Sequence, residues 1–282
     1  MPHHTLLTTR HLSARHPLAG RIGLKKILII AGVIVAVLII AAFSLYRIVY
    51  NQLPGDPLYG LKTVTERLFG GMQLTSAGRV DHNITLLESR LNELNRYALG
   101  IGSSSPEQLT KIAEQSDNHT KDALNLIAAD ASLDIPARIT LLTKIDSVVR
   151  AEETLGDSIK DFSPITDTIA TNEKRVNDAL RTAIGDFVTQ SATDTIEQLI
   201  AEKITNLGKG IPSIAPGSSA AKTVAKRVTE TNDALIDYDY KAAIIAIIRA
   251  EQAIAIDGYL WNAERGPVDG VPVDNGPIPE GN

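Results

Sequence analysis

The sequence predicts an all-α protein: a single N-terminal transmembrane helix followed by a helical-bundle ectodomain. Three observations carry this reading. Aromatic residues are only 4% of the 282, too few for a β-sandwich or an aromatic-lined barrel. Residues 27–46, ILIIAGVIVAVLIIAAFSLY, form a run of twenty residues without a charge. Beyond it, a capping residue stands directly before proline at Asp56-Pro57, Ser105-Pro106 and Ser163-Pro164. Such pairs open helices, because proline at the first helical position gives up an N–H that would be unpaired there anyway.

As a helix, residues 27–46 reach about 30 Å, the thickness of a bilayer's hydrocarbon core. A secretory signal has a shorter apolar region and a small-x-small exit, which Ala41, Ala42, Phe43 and Ser44 do not clearly provide. An uncleaved anchor is therefore expected, with cleavage as the alternative. Residues 1–46 carry Arg10, Arg15, Arg21, Lys25 and Lys26 and no acid, which leaves 23 basic and 33 acidic residues for the rest. The positive-inside rule then keeps residues 1–26 in the cytoplasm as a basic tail and places everything after Tyr46 outside, at the plasma membrane. Tyr46 and Tyr50 fall where amphipathic rings favour the lipid–water boundary. The tail holds His3, His4, His11 and His16, but no helical period or carboxylate that would gather them on a metal.

The ectodomain reads as successive amphipathic helices. Over residues 79–98, Ile84, Leu87, Leu91, Leu94 and Leu99 make the apolar face, with Glu88, Arg90, Glu93 and Arg96 around them. Ser105 and Gln108 form a capping box for the next helix, whose apolar face is Leu109, Ile112, Ala113, Leu124, Ile127 and Ala128. After a turn at residues 130–134, Ile139, Leu142, Ile145, Val148 and Val149 mark a third helix that Gly156 can end. Residues 165–207 are one long helix or two, with Gly185 and SATDT at 191–195 as break points; Val176, Leu180, Ile184, Phe187, Val188, Ile196, Leu199, Ile200 and Ile204 are its apolar face. Residues 54–207 are thus the bundle, and the Gly/Pro/Ser-rich 208–219 a linker or loop. Residues 220–265 form a C-terminal hairpin turning at DYDY, residues 237–240. Its second helix, with AAIIAIIRAEQAIAI, is apolar around most of its circumference and suits a buried central position; Arg249 and Glu251 exclude a second span. Residues 266–282, rich in Pro and Gly without a period, are expected to be disordered.

At residues 53–68, LPGDPLYGLKTVTERL, the chain resembles the start of the bacterial domain of unknown function numbered 5667. There a Pro-Gly-Asp turn leads into Leu-Tyr-x-x-Lys and a glutamate four residues later, here Pro54, Gly55, Asp56, Leu58, Tyr59, Lys62 and Glu66. LLESRLNEL at 86–94 resembles the leucine-rich helix that follows. The resemblance implies an all-helical domain just outside a single membrane span and brings no catalytic residue. Physically, Gly55 allows a tight turn, Asp56 caps, Pro57 starts the helix, and Leu58, Leu61, Val64 and Leu68 pack inward. Lys62 and Glu66 then make an exposed pair worth about 0.3–0.5 kcal/mol. The seven motif residues are expected to be structural first, with Tyr59 and Lys62 as the contacts a partner would use.

No catalytic constellation stands out. Histidine, the usual base near neutrality, is left outside only at His82 and His119, both read as solvated. Glu152 and Glu153, adjacent in sequence, point about 100° apart on a helix and are read as solvated too. The chain has no cysteine, hence no thiolate site or disulfide, and the acidic ectodomain repels nucleic acid. No catalytic, cofactor-binding or metal residue and no cofactor is expected. The function expected is a non-enzymatic protein-interaction or sensory module at the bacterial cell envelope. Its partners are the lipid bilayer, through residues 27–46, and an unidentified envelope protein. The alternative is a ligand- or metal-sensing bundle, and after that an envelope enzyme.

Overall fold

The computed structural model describes residues 24–73, 75–101, 105–156, 159 and 163–265. Among them the regular elements are helices alone, in agreement with the all-α expectation. The tail of residues 1–23, its four histidines and residues 266–282 lie outside the described residues. The chain divides into two units, Met1–Asn51 and Gln52–Asn282.

The first unit contains α1, Leu24–Tyr50, a helix of 27 residues and so about 40 Å long. Arg47 lies in its last turn, where a cation complements the helix dipole. Ile29, Val33, Ile34, Val35, Val37 and Ile40 are each more than half exposed. Several α1 side chains, those of residues 24–28, 38 and 39 among them, are outside the description. Among the described residues, no helix is long and apolar enough to cross a membrane.

The second unit holds α2 (Tyr59–Gly71), α3 (Ser76–Ala98), α4 (Pro106–Ala129), α5 (Ile135–Gly156), α6 (Ser163–Gln190), α7 (Thr193–Gly210), α8 (Ser219–Ile236) and α9 (Tyr240–Arg265). Neighbours in sequence pack in pairs, α3 on α4, α5 on α6 and α8 on α9, as short connections dictate. The central helix is α5, which touches α3, α4, α6 and α9. Its Ile139, Leu142, Ile145, Val148, Val149 and Leu155 are all buried in one aliphatic core with Leu87, Leu94, Ile112, Ile184 and Ile244. As its composition suggests, α9 is central too, burying Ala243, Ile244, Ala246, Ile247, Ile248 and Ala250. The C-terminal hairpin therefore packs on the bundle.

Local chemistry sets the ends. Ser105 Oγ accepts from the Gln108 N–H at 3.2 Å while Gln108 Oε1 accepts from the Ser105 N–H at 2.9 Å, the expected capping box. Asp134 Oδ1 accepts from the Ala137 N–H at 2.7 Å and opens α5; α5 ends at Gly156. Residues 165–207 are two helices, parted at Ser191 and Ala192, whereas Gly185 lies within α6. The DYDY segment is a tight turn in which Tyr238 has φ 57°. The stretch read as a linker at 208–219 is partly helical: α7 runs to Gly210, a 3-10 turn covers Ile211–Ser213, and Ile214 is buried with Leu207, Val224 and Ala250.

Other expectations are corrected. The Asp56-Pro57 pair starts no helix. The Asp56 carboxylate accepts from the N–H of Leu53 at 2.7 Å and so closes a turn, and α2 begins at Tyr59 with no side-chain cap. Leu58, Leu61, Val64 and Leu68 do not pack inward; they are 38%, 44%, 52% and 64% exposed. Leu99 and Ile204 are also exposed, as is Ala128, whereas Arg90 and Glu93 are buried.

Charge enters the core again at Asp146, which is fully buried. Its Oδ2 accepts from Arg150 Nε at 3.0 Å, Arg249 Nη1 at 2.6 Å and Gln252 Nε2 at 2.7 Å, joining α5 to α9. Arg150 reaches on to Glu173 of α6 at 2.6 Å. Removing one member of a buried ion pair strands the other, at about 3–5 kcal/mol. Asp146→Ala should lose stability of that order in chemical denaturation followed by far-UV circular dichroism; a loss below about 1 kcal/mol would mean a solvated pair.

Candidate functional site

On α2, Tyr59, Lys62 and Glu66 are spaced by three and four and so share one face. That face is turned into the protein. Tyr59 and Lys62 are each 3% exposed, and opposite them on α3 lies the guanidinium of Arg90, fully buried. Arg90 Nη1 donates to Tyr59 Oη at 2.6 Å, Glu93 Oε1 at 2.6 Å and Gln115 Oε1 of α4 at 2.9 Å. Its Nη2 donates to both carboxylate oxygens of Glu66. Lys62 Nζ donates to Glu93 Oε1 at 2.6 Å, and Tyr59 Oη donates to Gln115 Oε1 at 2.7 Å. Two cations face two carboxylates, so the cluster is neutral as a whole.

The Lys62–Glu66 pair expected from sequence is therefore replaced by two cross-helix pairs, Lys62–Glu93 and Glu66–Arg90. Burial disfavours the Arg90 cation, but Glu93, Tyr59 and Glu66 outweigh it and hold its pKa above the ordinary value. Burial, then Glu93, pushes the Tyr59 phenol far above its usual range, so it stays a neutral donor. The Lys111 ammonium stands 5.0 Å from the centre of the Tyr59 ring, within cation–π reach.

The other motif residues do not join this cluster. Pro54 offers its carbonyl to Tyr97 Oη at 3.1 Å, which ties the entry of α2 to the end of α3. Gly55 has φ +99°, a conformation that favours glycine; a Cβ there would also displace the end of the Gln108 side chain of α4. Asp56 and Leu58 are exposed.

Behind the cluster lies a second buried acid. Glu152 of α5, expected to be solvated, is fully buried and accepts from Ser116 Oγ of α4 at 2.8 and 2.9 Å. Burial pushes its carboxyl up to about 8, against the opposing pull of Ser116 and Arg90. It is thus largely a neutral acid near pH 7.

A cavity of about 550 Å³ opens between α2, α3 and α4, lined by Glu66, Arg67, Arg79, His82, His119 and Asp122 among others. His82 and His119, read from sequence as solvated, both line it and are half-buried. His82 Nε2 lies 3.0 Å from the Glu66 carbonyl, and a Cβ on Gly70 would come within 2.8 Å of the same nitrogen, so glycine lets α2 approach. Burial, then Arg90 and His82, lowers His119 to about 4, so its ring is neutral near pH 7. Among the described residues no three metal-ligating side chains converge. The cavity wall carries guanidinium, imidazole, amide and carboxylate groups together with the apolar side chains of Leu86 and Leu126.

Sequence reasoning missed Arg90, Glu93, Gln115, Ser116 and Glu152. A signal existed for two of them. Arg90 follows Leu87 by three and precedes Leu94 by four, and Glu152 follows Val148 by four and precedes Leu155 by three, so each sits on an apolar stripe. No family model, no curated protein and no solved structure matches the chain.

Two tests follow from this geometry. Lys62→Met should cost more than about 2 kcal/mol in chemical denaturation, between the ~0.3–0.5 kcal/mol of an exposed helix pair and the ~3–5 kcal/mol of a stranded buried charge. The second concerns pH. Folding raises the Glu152 pKa from 4.5 to about 8, so between those values the folded chain holds a proton that the unfolded chain has released, and stability falls as pH rises. His119 acts oppositely, because folding lowers it from 6.5 to about 4 and stability rises across that window. Above pH 6.5 the falling contribution of Glu152 is no longer offset by His119. Glu152→Gln should flatten the decline in melting temperature between pH 6.5 and 8.5, read by thermal denaturation in matched buffers.

Proposed function

We propose that this chain is a single-pass membrane protein whose helical ectodomain is a non-enzymatic interaction or sensory module at the bacterial cell envelope. The observation that carries the proposal is α1. Its residues 27–46 are uncharged, and its described apolar side chains from Ile29 to Ile40 stand exposed. A helix apolar all round belongs in a core or a bilayer, and twenty residues match the hydrocarbon thickness. Arg21, Lys25 and Lys26 set the N-terminus in the cytoplasm and the bundle outside.

The interaction role is supported by where the charged groups go. Arg90, Glu93, Lys62, Asp146 and Arg249 pair with one another inside the bundle, which fits a scaffold built to hold helix faces in place. A second reading, ligand sensing, is favoured by the cavity that His82 and His119 line with Arg67 and Arg79.

The first measurement is carbonate extraction of cell membranes with protease treatment of spheroplasts. Full-length protein should stay in the pellet and lose its bundle to external protease; release by carbonate, or protection from protease, would overturn the anchor or its orientation. In-cell crosslinking of the same protein should then enrich a discrete envelope protein. If it does not, and thermal shift with cell-wall fragments stabilises the bundle, the sensing reading takes its place.

A further inference from the structure

We infer that the outward face of α2 lies in the headgroup layer of the membrane that α1 spans. The inference rests on the anchor reading above. Leu58, Leu61, Val64, Leu68 and Met72 are 38%, 44%, 52%, 64% and 70% exposed. Their spacings of three, three, four and four place them within about a 120° arc at 100° per residue. The opposite side carries Tyr59, Lys62 and Glu66, all held inside by Arg90, Glu93 and Gln115. The helix is thus inverted relative to a helix of a water-surrounded bundle, with its polar face inward and its apolar face outward. Thr65 sits within the apolar arc, and its hydroxyl donates back to the Leu61 carbonyl of its own helix, so its hydrogen is already placed without water.

The length of chain identifies the occupant. α1 ends at Tyr50 and α2 begins at Tyr59. The eight residues between them reach at most about 28 Å even when extended, and the Leu53–Asp56 turn shortens that span. A helix tethered so closely to a membrane span meets the bilayer surface before any other apolar phase. Amphipathic helices bury such a face about 5–10 Å into the headgroup and acyl boundary. Tyr97 pins Pro54 to the end of α3, where Leu99 and Ile101 are exposed as well, 44% and 43%.

The chain has no cysteine, so single-cysteine variants can be spin-labelled cleanly. Full-length Leu61→Cys, Leu68→Cys, Val37→Cys and Lys222→Cys are labelled and reconstituted in vesicles of phosphatidylethanolamine and phosphatidylglycerol at 3:1. Accessibility to dissolved oxygen is compared with accessibility to an aqueous nickel chelate. Labels at 61 and 68 should show an oxygen-to-nickel ratio several-fold above that at Lys222, an exposed site on α8, and approach that at 37. A water-like ratio at 61 and 68 with a lipid-like ratio at 37 overturns the inference and leaves the anchor standing. Shielding of 61 and 68 from both reagents also overturns it, in favour of a protein occupant. A water-like label at 37 removes the anchor reading and the inference together. Should one α2 variant fail to fold, Val64→Cys repeats the reading at the middle of the arc.

Discussion

The guanidinium of Arg90 is the constraint around which this end of the protein is arranged. A charge with no exposed surface must find carboxylates and hydrogen-bond acceptors or unfold the site. It finds Glu93 one turn along its own helix, Gln115 on α4, and Tyr59 and Glu66 on α2. Three helices are therefore fixed by one side chain. Because α2 must turn its Tyr59, Lys62 and Glu66 face to Arg90, its leucines have no choice but to face outward. The direction of an apolar surface follows here from the location of a buried cation.

The rest of the bundle needs such fixed points because its core is aliphatic. Leu, Ile, Val and Ala make up nearly all of the main cluster, with Phe187 and Tyr97 as its buried aromatics. Aliphatic packing is non-directional, and hydrophobic residues of about the right size are enough to get a chain folded without defining one arrangement. Asp146 holding Arg249 and Gln252 aligns α5 with α9, and Ser116 on Glu152 aligns α4 with α5. Each bond tolerates sliding by a fraction of an ångström where a helix turn spans about 5.4 Å. These networks select the register that the greasy contacts leave loose.

What could be read in the sequence was whatever periodicity and capping encode locally. The Ser105–Gln108 box, the stop at Gly156, the break near residue 191 and the buried character of α9 depend on neighbours within a few positions, and they stand as read. The polarity of α2 could not be read that way. Its apolar stripe is a sound amphipathic signal, and the usual inference from such a stripe is that it faces the core. The inference fails because the partner face of α3 carries Arg90, thirty-one positions away in sequence from Tyr59. For the same reason Glu152 passed for a solvated acid: the groups that ease its burial, the Ser116 hydroxyl and the Arg90 charge, stand on other helices. Local rules place a charge outside by default, and long-range pairing is what overturns the default.

One helix thus faces two environments. The polar side of α2 supplies Glu66 to the cavity wall and to Arg90, and its Gly70 lets the backbone close on His82. Its apolar side is the one turned away from the bundle. Charge and hydrogen bonds bind α2 to α3, through Lys62–Glu93, Glu66–Arg90 and Tyr59–Arg90. Any tilt of α2 must move Glu66 against Arg90 and change the shape of the cavity beside His82 and His119. The structure so joins an apolar outer surface to a polar inner one through a single helix held by ions.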